Sequence, residues 1–219
     1  MNEAVAKTLE AWGLQLTPEN LRRLELFAAA LTEKNAVQNL VSEKDMPQLW
    51  ERHFLDSLAA APLLRRLLKP GGLIADAGSG AGFPGLALAG ALDEFSFQLL
   101  ESRERRCDFL NETAAAMGAR NVAVFNRRVG EGGHGSEQRY AAVIERAMGQ
   151  LENILPQCLN ILVKGGYFLA WQSAAQLAQP RPAVEAAVRK AKAELAETFA
   201  YRLPGESADR YLMIFKRTR

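Results

Sequence analysis

Residues 73–91 constrain the fold more than any other stretch of the chain. Leu73-Ile74-Ala75 is a short apolar run of the kind that forms a buried parallel strand, and Leu86-Ala87-Leu88-Ala89 begins a helix. Between them lies Asp76-Ala77-Gly78-Ser79-Gly80-Ala81-Gly82-Phe83-Pro84-Gly85, an acid at the strand end followed by alternating glycines. Glycines let the backbone turn through positive φ and come close to a ligand, while a helix start offers unpaired N–H groups and a positive dipole end. Pro84 suits a first helical turn, where no backbone donor is needed. A bound carboxylate, ribose or phosphate is favoured at such a turn, so the stretch reads as a nucleotide-cofactor loop.

The remainder of the chain fits a sheet built around that unit. After Gly71-Gly72, strands are expected at 73–77, 97–101, 122–126, 140–146, 166–172, 197–203 and 210–216. Helical patterns at 84–91, 103–117, 149–162 and 182–195 separate most of them. Such alternation predicts a mainly parallel sheet covered on both faces. The last two strands are joined only by Pro204 to Asp209, too short for a helical crossover, so they pair antiparallel or lie one strand position apart. Upstream, apolar residues recur at helical spacing over Glu3 to Trp12 and Pro18 to Leu31, with Thr17-Pro18 as cap and first turn, and Met46 to Leu68 continues helical. Residues 1–70 therefore read as an N-terminal helical extension on an α/β domain of residues 71–219, the two forming one compact unit.

Composition bounds the function classes. A chain of 219 residues with 48% hydrophobic content can supply one α/β core. Its net charge of +2 argues neither for nor against nucleic acid, although arginines cluster at Arg22-Arg23, Arg65-Arg66, Arg103 to Arg106, Arg127-Arg128 and the Lys216-Arg217 end. Cys107 and Cys158 lack any metal-ligand spacing and read as reduced thiols in a helix and in the core, which fits a cytoplasmic setting; no metal is expected. No apolar run approaches the roughly 18 residues of a membrane span, and the start lacks a signal-like stretch.

The cofactor is the next choice. Gly80 to Gly85 satisfies G-x-G-x-x-G, but in the dinucleotide version the first glycine directly follows the strand, whereas here Asp76 and Gly78 come earlier. The D-x-G-x-G-x-G spacing resembles motif I of class I S-adenosylmethionine-dependent methyltransferases, in which the acid helps hold the methionine end. Glu101, closing the second strand, could accept both ribose hydroxyls of either cofactor. Open α/β sheets bind ligands outside the carboxyl ends of their strands, and Asp76, Glu101, the Arg127-to-Glu131 segment and Arg146 all fall at such ends. On the residues alone, a nicotinamide-dependent oxidoreductase and a non-catalytic nucleoside-binding module remain alternatives, although the reversed last strand is a feature of methyltransferase sheets.

Lys34-Asn35, Asn39-Leu40-Val41-Ser42, Arg52-His53-Phe54-Leu55-Asp56-Ser57, the whole glycine loop, Glu101-Ser102 with Arg106 and Phe109-Leu110, Glu145-Arg146-Ala147 and Asp209-Arg210-Tyr211-Leu212 extend over most of the chain. Together they make it similar to the RsmG family, also called GidB, of bacterial 16S ribosomal RNA guanine-N7 methyltransferases. The resemblance implies a class I, Rossmann-like fold: a seven-stranded, mainly parallel sheet with an antiparallel last strand and an N-terminal helical extension. It also implies methyl transfer from S-adenosyl-L-methionine to N7 of a guanine in the 530 loop of 16S rRNA, within the small ribosomal subunit, by a cytoplasmic monomer. Methyl transfer to another small molecule or protein is the alternative within that cofactor class.

The family's cofactor residues carry over to Gly78, Phe83, Val129, Gly130 and Arg146, with Phe83 lying against the cofactor; Asp76, Gly80, Gly82 and Glu101 join them from the motif. Gly130 stands where the family usually has an acid for the adenine amino group, so either the nearby Glu131 substitutes by a shift of the loop or backbone groups alone read the base. Trp171-Gln172 replaces a Lys-Gly found in many relatives, so Trp171 is a candidate to stack on a base. Lys34, Asn39, Arg52 and His53 are the other RNA-side candidates. Arg52 and Asp56 lie at i and i+4 and could simply pair on one helix face. The glycine-rich run Gly130 to Gly135 is expected to be mobile without ligand.

The implied chemistry needs no general base, because guanine N7 exposes a lone pair and a sulfonium methyl is a strong electrophile. Alignment of the reacting atoms then becomes the main contribution, worth about 7–11 kcal/mol in the best cases. Asp56 and Glu145 are candidates to stabilise the developing positive charge on the base.

Overall fold

The computed structural model describes residues 1–131, 139–179 and 181–218. Seven strands, β1 Leu73–Ala77, β2 Ser96–Glu101, β3 Val122–Asn126, β4 Tyr140–Glu145, β5 Leu162–Ser173, β6 Ala193–Tyr201 and β7 Arg210–Arg217, form one sheet in the order β3-β2-β1-β4-β5-β7-β6. The first five run parallel, and β7 pairs antiparallel with both β5 and β6. Of the two arrangements open to the last strands, direct antiparallel pairing is realised. The order turns around between β1 and β4, which places the ligand-binding crevice at their carboxyl ends.

Side-chain alternation along each strand divides the core in two. Ile74, Leu99, Ile144, Leu169 and Ile214 face one layer, and Ala75, Leu100, Val143, Phe168 and Phe215 face the other. The first layer is covered by α1 Glu3–Ala11, α2 Pro18–Gln38, α5 Gly85–Ala91 and α6 Glu104–Met117; the second by α7 Leu151–Asn160 and α9 Pro182–Lys190. The helical residues before β1 thus share a core with the sheet: Val5, Leu24 and Phe27 belong to the same cluster as Leu212. Helix α2 begins with a capping box in which Thr17 Oγ1 accepts the Asn20 N–H at 3.1 Å, and Asn20 Oδ1 accepts the Thr17 N–H at 3.1 Å. Asn20 Nδ2 donates to Gly90 O at 3.0 Å, joining α2 to α5.

The stretch from Met46 to Leu68 departs from the regular helix its pattern predicts. It consists of a 3₁₀ turn at Met46–Gln48, a wide π turn at Trp50–Leu55, α3 Asp56–Leu58, a turn at Ala59-Ala60 and α4 Ala61–Leu67. A π turn holds more residues than an α turn, so Arg52 and Asp56 do not stack four apart. Arg52 pairs instead with Asp45 at 3.1 Å, while Asp56 turns inward. Elsewhere the boundaries shift: α2 runs to Gln38, β5 starts at Leu162, and β6 already begins at Ala193, where the sequence pattern stays helical to 195. None of the described helices is long and apolar enough to cross a membrane.

Candidate active site

The loop from β1 to α5 is held from beneath by its own acid. Asp76 is fully buried, and its Oδ2 accepts the Gly85 N–H at 3.0 Å. A Cβ at Gly85 would lie 2.6 Å from both Asp76 Cβ and Leu99 Cδ2, so only glycine lets the helix start this close to the strand. Gly78, Gly80 and Gly82 all take positive φ, at +72°, +55° and +94°. The Gly78 N–H donates to Leu100 O at 2.8 Å, and the Gly80 N–H to Glu101 Oε2 at 3.0 Å. Glu101 is buried at the end of β2, where its Oε1 accepts the Arg103 N–H at 2.8 Å. Asp76 Oδ1 is sealed from solvent with no hydrogen-bond partner among the described residues.

Two acids under this loop hold their protons unusually well. Burial pushes Asp76 up to about 7, the Gly85 N–H and the Arg146 charge offsetting only part of the effect. Burial likewise raises Glu145, at the end of β4, to about 7, although its Oε1 accepts the Met148 N–H at 2.5 Å. Ala147, between them in the chain, holds a left-handed φ of +62°.

Beside the loop is a cavity of about 560 Å³, lined among others by Asp45, His53, Asp56, Arg146, Trp171 and Arg210. Asp56, only 2% exposed, is its central ion. Its Oδ2 accepts from Arg146 Nη1 at 2.8 Å; its Oδ1 accepts the Tyr201 hydroxyl at 2.5 Å and faces Arg210 Nη1 at 3.2 Å. Burial and the Asp56 charge drive Tyr201 far above the ordinary tyrosine range, so it acts as a donor only. Arg210 is also gripped by Glu206, which accepts from its Nε at 2.8 Å and Nη2 at 2.6 Å. The lining holds four carboxylates, Asp45, Asp56, Glu206 and Asp209, and three guanidiniums, Arg52, Arg146 and Arg210; Asp209 pairs with Arg202 at 2.7 Å, so the charges are matched.

The structure brings Arg52, His53, Asp56, Arg146 and Trp171 to this cavity and keeps Asp76, the loop glycines, Glu101 and Glu145 at the adjoining strand ends. Two of the candidates are packed inward. Phe83 is buried, its ring packed against Phe27, Phe54 and His53 with Arg146 over its face, so the ring itself does not lie along an open cleft. Trp171 is buried too, its indole N–H donating to Asp56 O at 2.9 Å, and it forms part of the cavity wall. Val129 is buried after β3, and Gly130 is exposed with φ +81°. The exposed Glu131 turns back on Arg128, accepting its N–H at 3.2 Å. Lys34 pairs with Glu112 at 3.3 Å, and Asn39 is the left-handed C-cap of α2. Gly132 to Gly135 lie outside the described residues.

Sequence reasoning does not single out Asp45, Tyr201, Glu206 or Arg210 as cavity residues. Only Arg210 carries a signal, since Asp209-Arg210-Tyr211-Leu212 is one of the resembling stretches; the others reach the site through tertiary packing.

Comparison with known proteins agrees with this geometry. The sequence profile of GidB, described as rRNA small subunit methyltransferase G, matches residues 20–207. The chain belongs to this family. It is 32% identical to the ribosomal RNA small subunit methyltransferase G of Aromatoleum aromaticum, over 94% of this chain and 93% of that one. To the protein of the same name from Sorangium cellulosum it is 36% identical, over 76% and 70% of the two chains. Among solved structures, the ribosomal protein L11 methylase from Lactobacillus delbrueckii subsp. bulgaricus superposes with a TM-score of 0.57 at 16% identity, over 75% of this chain and 80% of that one. A geranyl diphosphate methyltransferase in complex with SAM gives a TM-score of 0.56 at 15% identity, over 75% and 86%. These structures share the fold of the GidB chain described above.

Proposed function

We propose that this protein transfers a methyl group from S-adenosyl-L-methionine to N7 of a guanine in the 530 loop of 16S rRNA, within the small ribosomal subunit. The family match supports the reaction and the acceptor class. The observation that carries the reading is the junction of the glycine loop with a nucleotide-sized cavity at Arg146, which lines the cavity and lies 5.2 Å from the ring centre of Phe83 in the loop.

The residues at the crevice fit the cofactor. Asp76 Oδ1 is a buried acceptor without a partner among the described residues, beside a turn of three positive-φ glycines, which suits a cationic ligand group. Glu101 accepts one N–H on each oxygen, so each carboxylate oxygen retains a lone pair for a vicinal diol. Gly78, Gly80, Gly82, Val129, Gly130 and Arg146 are the other residues we assign to holding it, with Glu131 reserved for the adenine. Bound there, the cofactor supplies an electrophilic methyl group.

The chain's own part is orientation and charge. Guanine N7 needs no deprotonation, so the protein must hold the base in line and keep water out. The product base is a cation, which a carboxylate at the site would favour. Asp56 is saturated by Arg146, Tyr201 and Arg210, so it acts by fixing those groups. Glu145, at the end of β4, is the other candidate to meet the developing charge. Arg52, 43% exposed at the cavity mouth, and Lys34 and Asn39 on the helical portion are assigned to the RNA backbone. We further read residues 1–70 and 71–219 as one unit, supported by their common core, and the protein as a cytoplasmic monomer.

The decisive experiment is methyl transfer from labelled S-adenosylmethionine to 30S subunits taken from cells lacking this modification, with the base mapped. N7-methylguanine in the 530 loop is the expected result. Cofactor binding without transfer to these subunits would refute the acceptor.

A further inference from the structure

Arg146 is held by two residues of the segment that precedes the sheet. Its Nη1 donates to Asp56 Oδ2 at 2.8 Å, and its Nη2 lies 3.0 Å from His53 Nδ1. A guanidinium presents only donors, so Nδ1 must carry the lone pair and the ring proton must sit on Nε2. On that side Asp45 Oδ2 lies 3.6 Å from Nε2, an ionic approach beyond hydrogen-bond reach, and Nε2 has no hydrogen-bond partner among the described residues. Asp45 is itself anchored: the same oxygen accepts the Ser42 hydroxyl at 2.8 Å, and Arg52 sits 3.1 Å from the other. Both the imidazole and the Arg146 guanidinium lie against Phe83, each 5.2 Å from the ring centre. The charged groups around His53 are therefore Asp45, Arg52, Asp56 and Arg146, from four positions on two sides of the cleft.

We propose that His53, packed against Phe83 beside Asp45, is a positioning residue for Arg146: its unprotonated Nδ1 fixes the plane of the guanidinium so that the remaining N–H groups face the cofactor crevice. The inference rests on the reading of Arg146 as a cofactor-holding residue. Two of the five guanidinium N–H groups meet Asp56 and His53, which leaves three for a ligand. A protonated His53 would set a second donor and a like charge against Arg146 and release it. Burial, helped by the Arg146 charge, holds the imidazole down to about 4, so the arrangement persists across the physiological range. The R-H-x-x-D-S stretch thereby acts as one unit, in which the histidine and the aspartate grip the same arginine from two sides while the stretch's own arginine steadies the acid behind the histidine.

The test combines a tautomer measurement with cofactor titration. Nitrogen-15 NMR on the His134→Gln protein, which leaves a single histidine, should show His53 as the neutral Nε2–H tautomer from pH 8 down to pH 5.5. Calorimetric titration with S-adenosylmethionine should give a Kd raised about tenfold or more in His53→Phe, which keeps a ring against Phe83 but lacks the acceptor. His53→Asn, which places a carbonyl oxygen near the Nδ1 position, should return to within about threefold of the parent; Asp45→Asn should show a smaller loss than His53→Phe. A proton on Nδ1 would overturn the proposal whether or not the variants fold. So would His53→Phe binding like the parent while Arg146→Gln binds weakly, or His53→Asn failing as badly as His53→Phe. If Arg146→Gln itself binds the cofactor normally, the reading of Arg146 falls and the positioning role falls with it.

Discussion

The glycine loop takes its shape from ten consecutive residues, Asp76 to Gly85, whereas the cavity beside it is assembled from the 45–56 segment, the end of β4, the end of β5, the end of β6 and the turn into β7. In the loop, backbone dihedrals and one acid do the positioning; in the cavity, ion pairs between distant segments do. A local device tolerates change anywhere except in its own few residues. A dispersed one is vulnerable wherever a charge loses its partner. The molecule thus joins a site that depends on small residues to a site that depends on matched large ones.

Removing the ion at the centre of the dispersed site should have the largest effect. Asp56→Ala leaves Arg146, Arg210 and the Tyr201 hydroxyl without their shared acceptor, and denaturant unfolding should show a loss of about 3 kcal/mol or more. A loss under about 1 kcal/mol would mean that the arginines find other partners and that the cavity is not held by this ion. The corresponding challenge to the local site is Gly85→Ala, whose methyl group meets Asp76 and Leu99. It should cost about 1–3 kcal/mol and weaken cofactor binding without altering the Asp56 network.

These two regions also differ in how far the chain announces them. The spacing of Asp76, Gly78, Gly80, Gly82 and Gly85 is legible because each residue acts on its neighbours in sequence. The strand ends and the parallel sheet follow from periodicity for the same reason, and connection length narrows β6 and β7 to two arrangements, of which antiparallel pairing is the one formed. Tyr201 and Asp45 are not legible, since their partners lie 145 and 8 residues away and the nearer one is reached only through a π turn that no local pattern marks. The family resemblance makes Phe83 and Trp171 candidates at the cleft, and packing with Phe27 and Phe54 for the one and a hydrogen bond to Asp56 O for the other, which no local pattern marks, draw both inward.

A third experiment sharpens the comparison through pH. Asp76 binds its proton more tightly folded than unfolded, so the stabilisation it gives is complete below about 4, fades as pH rises and is gone above about 7. Asp76→Asn keeps an acceptor for the Gly85 N–H but does not ionise. Melting temperatures should therefore fall less steeply between pH 4 and pH 7 than in the parent, and should equal or exceed the parent's at pH 8, while cofactor affinity drops. Glu145, raised by the same burial, keeps part of the slope in both proteins. Parallel melting curves for the two proteins would show that Asp76 is ionised in the fold. The smallest effect belongs to neither region: Lys34→Ala breaks an exposed pair with Glu112 and should change stability by no more than about 0.5 kcal/mol. Its predicted consequence is a higher KM for 30S subunits at an unchanged Kd for S-adenosylmethionine; an unchanged KM removes Lys34 from the RNA face.

The insertion of β7 between β5 and β6 sets an order of events during synthesis. Until residues 210–217 emerge, β5 has an open edge, β6 has no place in the sheet, and Asp56 waits for the Arg210 that neutralises it. The ladder between β5 and β7 joins segments distant in sequence, so it closes late and slowly. Such a chain acquires a finished cavity only after β7 has left the ribosome, and a nascent copy carrying a complete glycine loop still lacks the walls of the cavity we propose for the acceptor base.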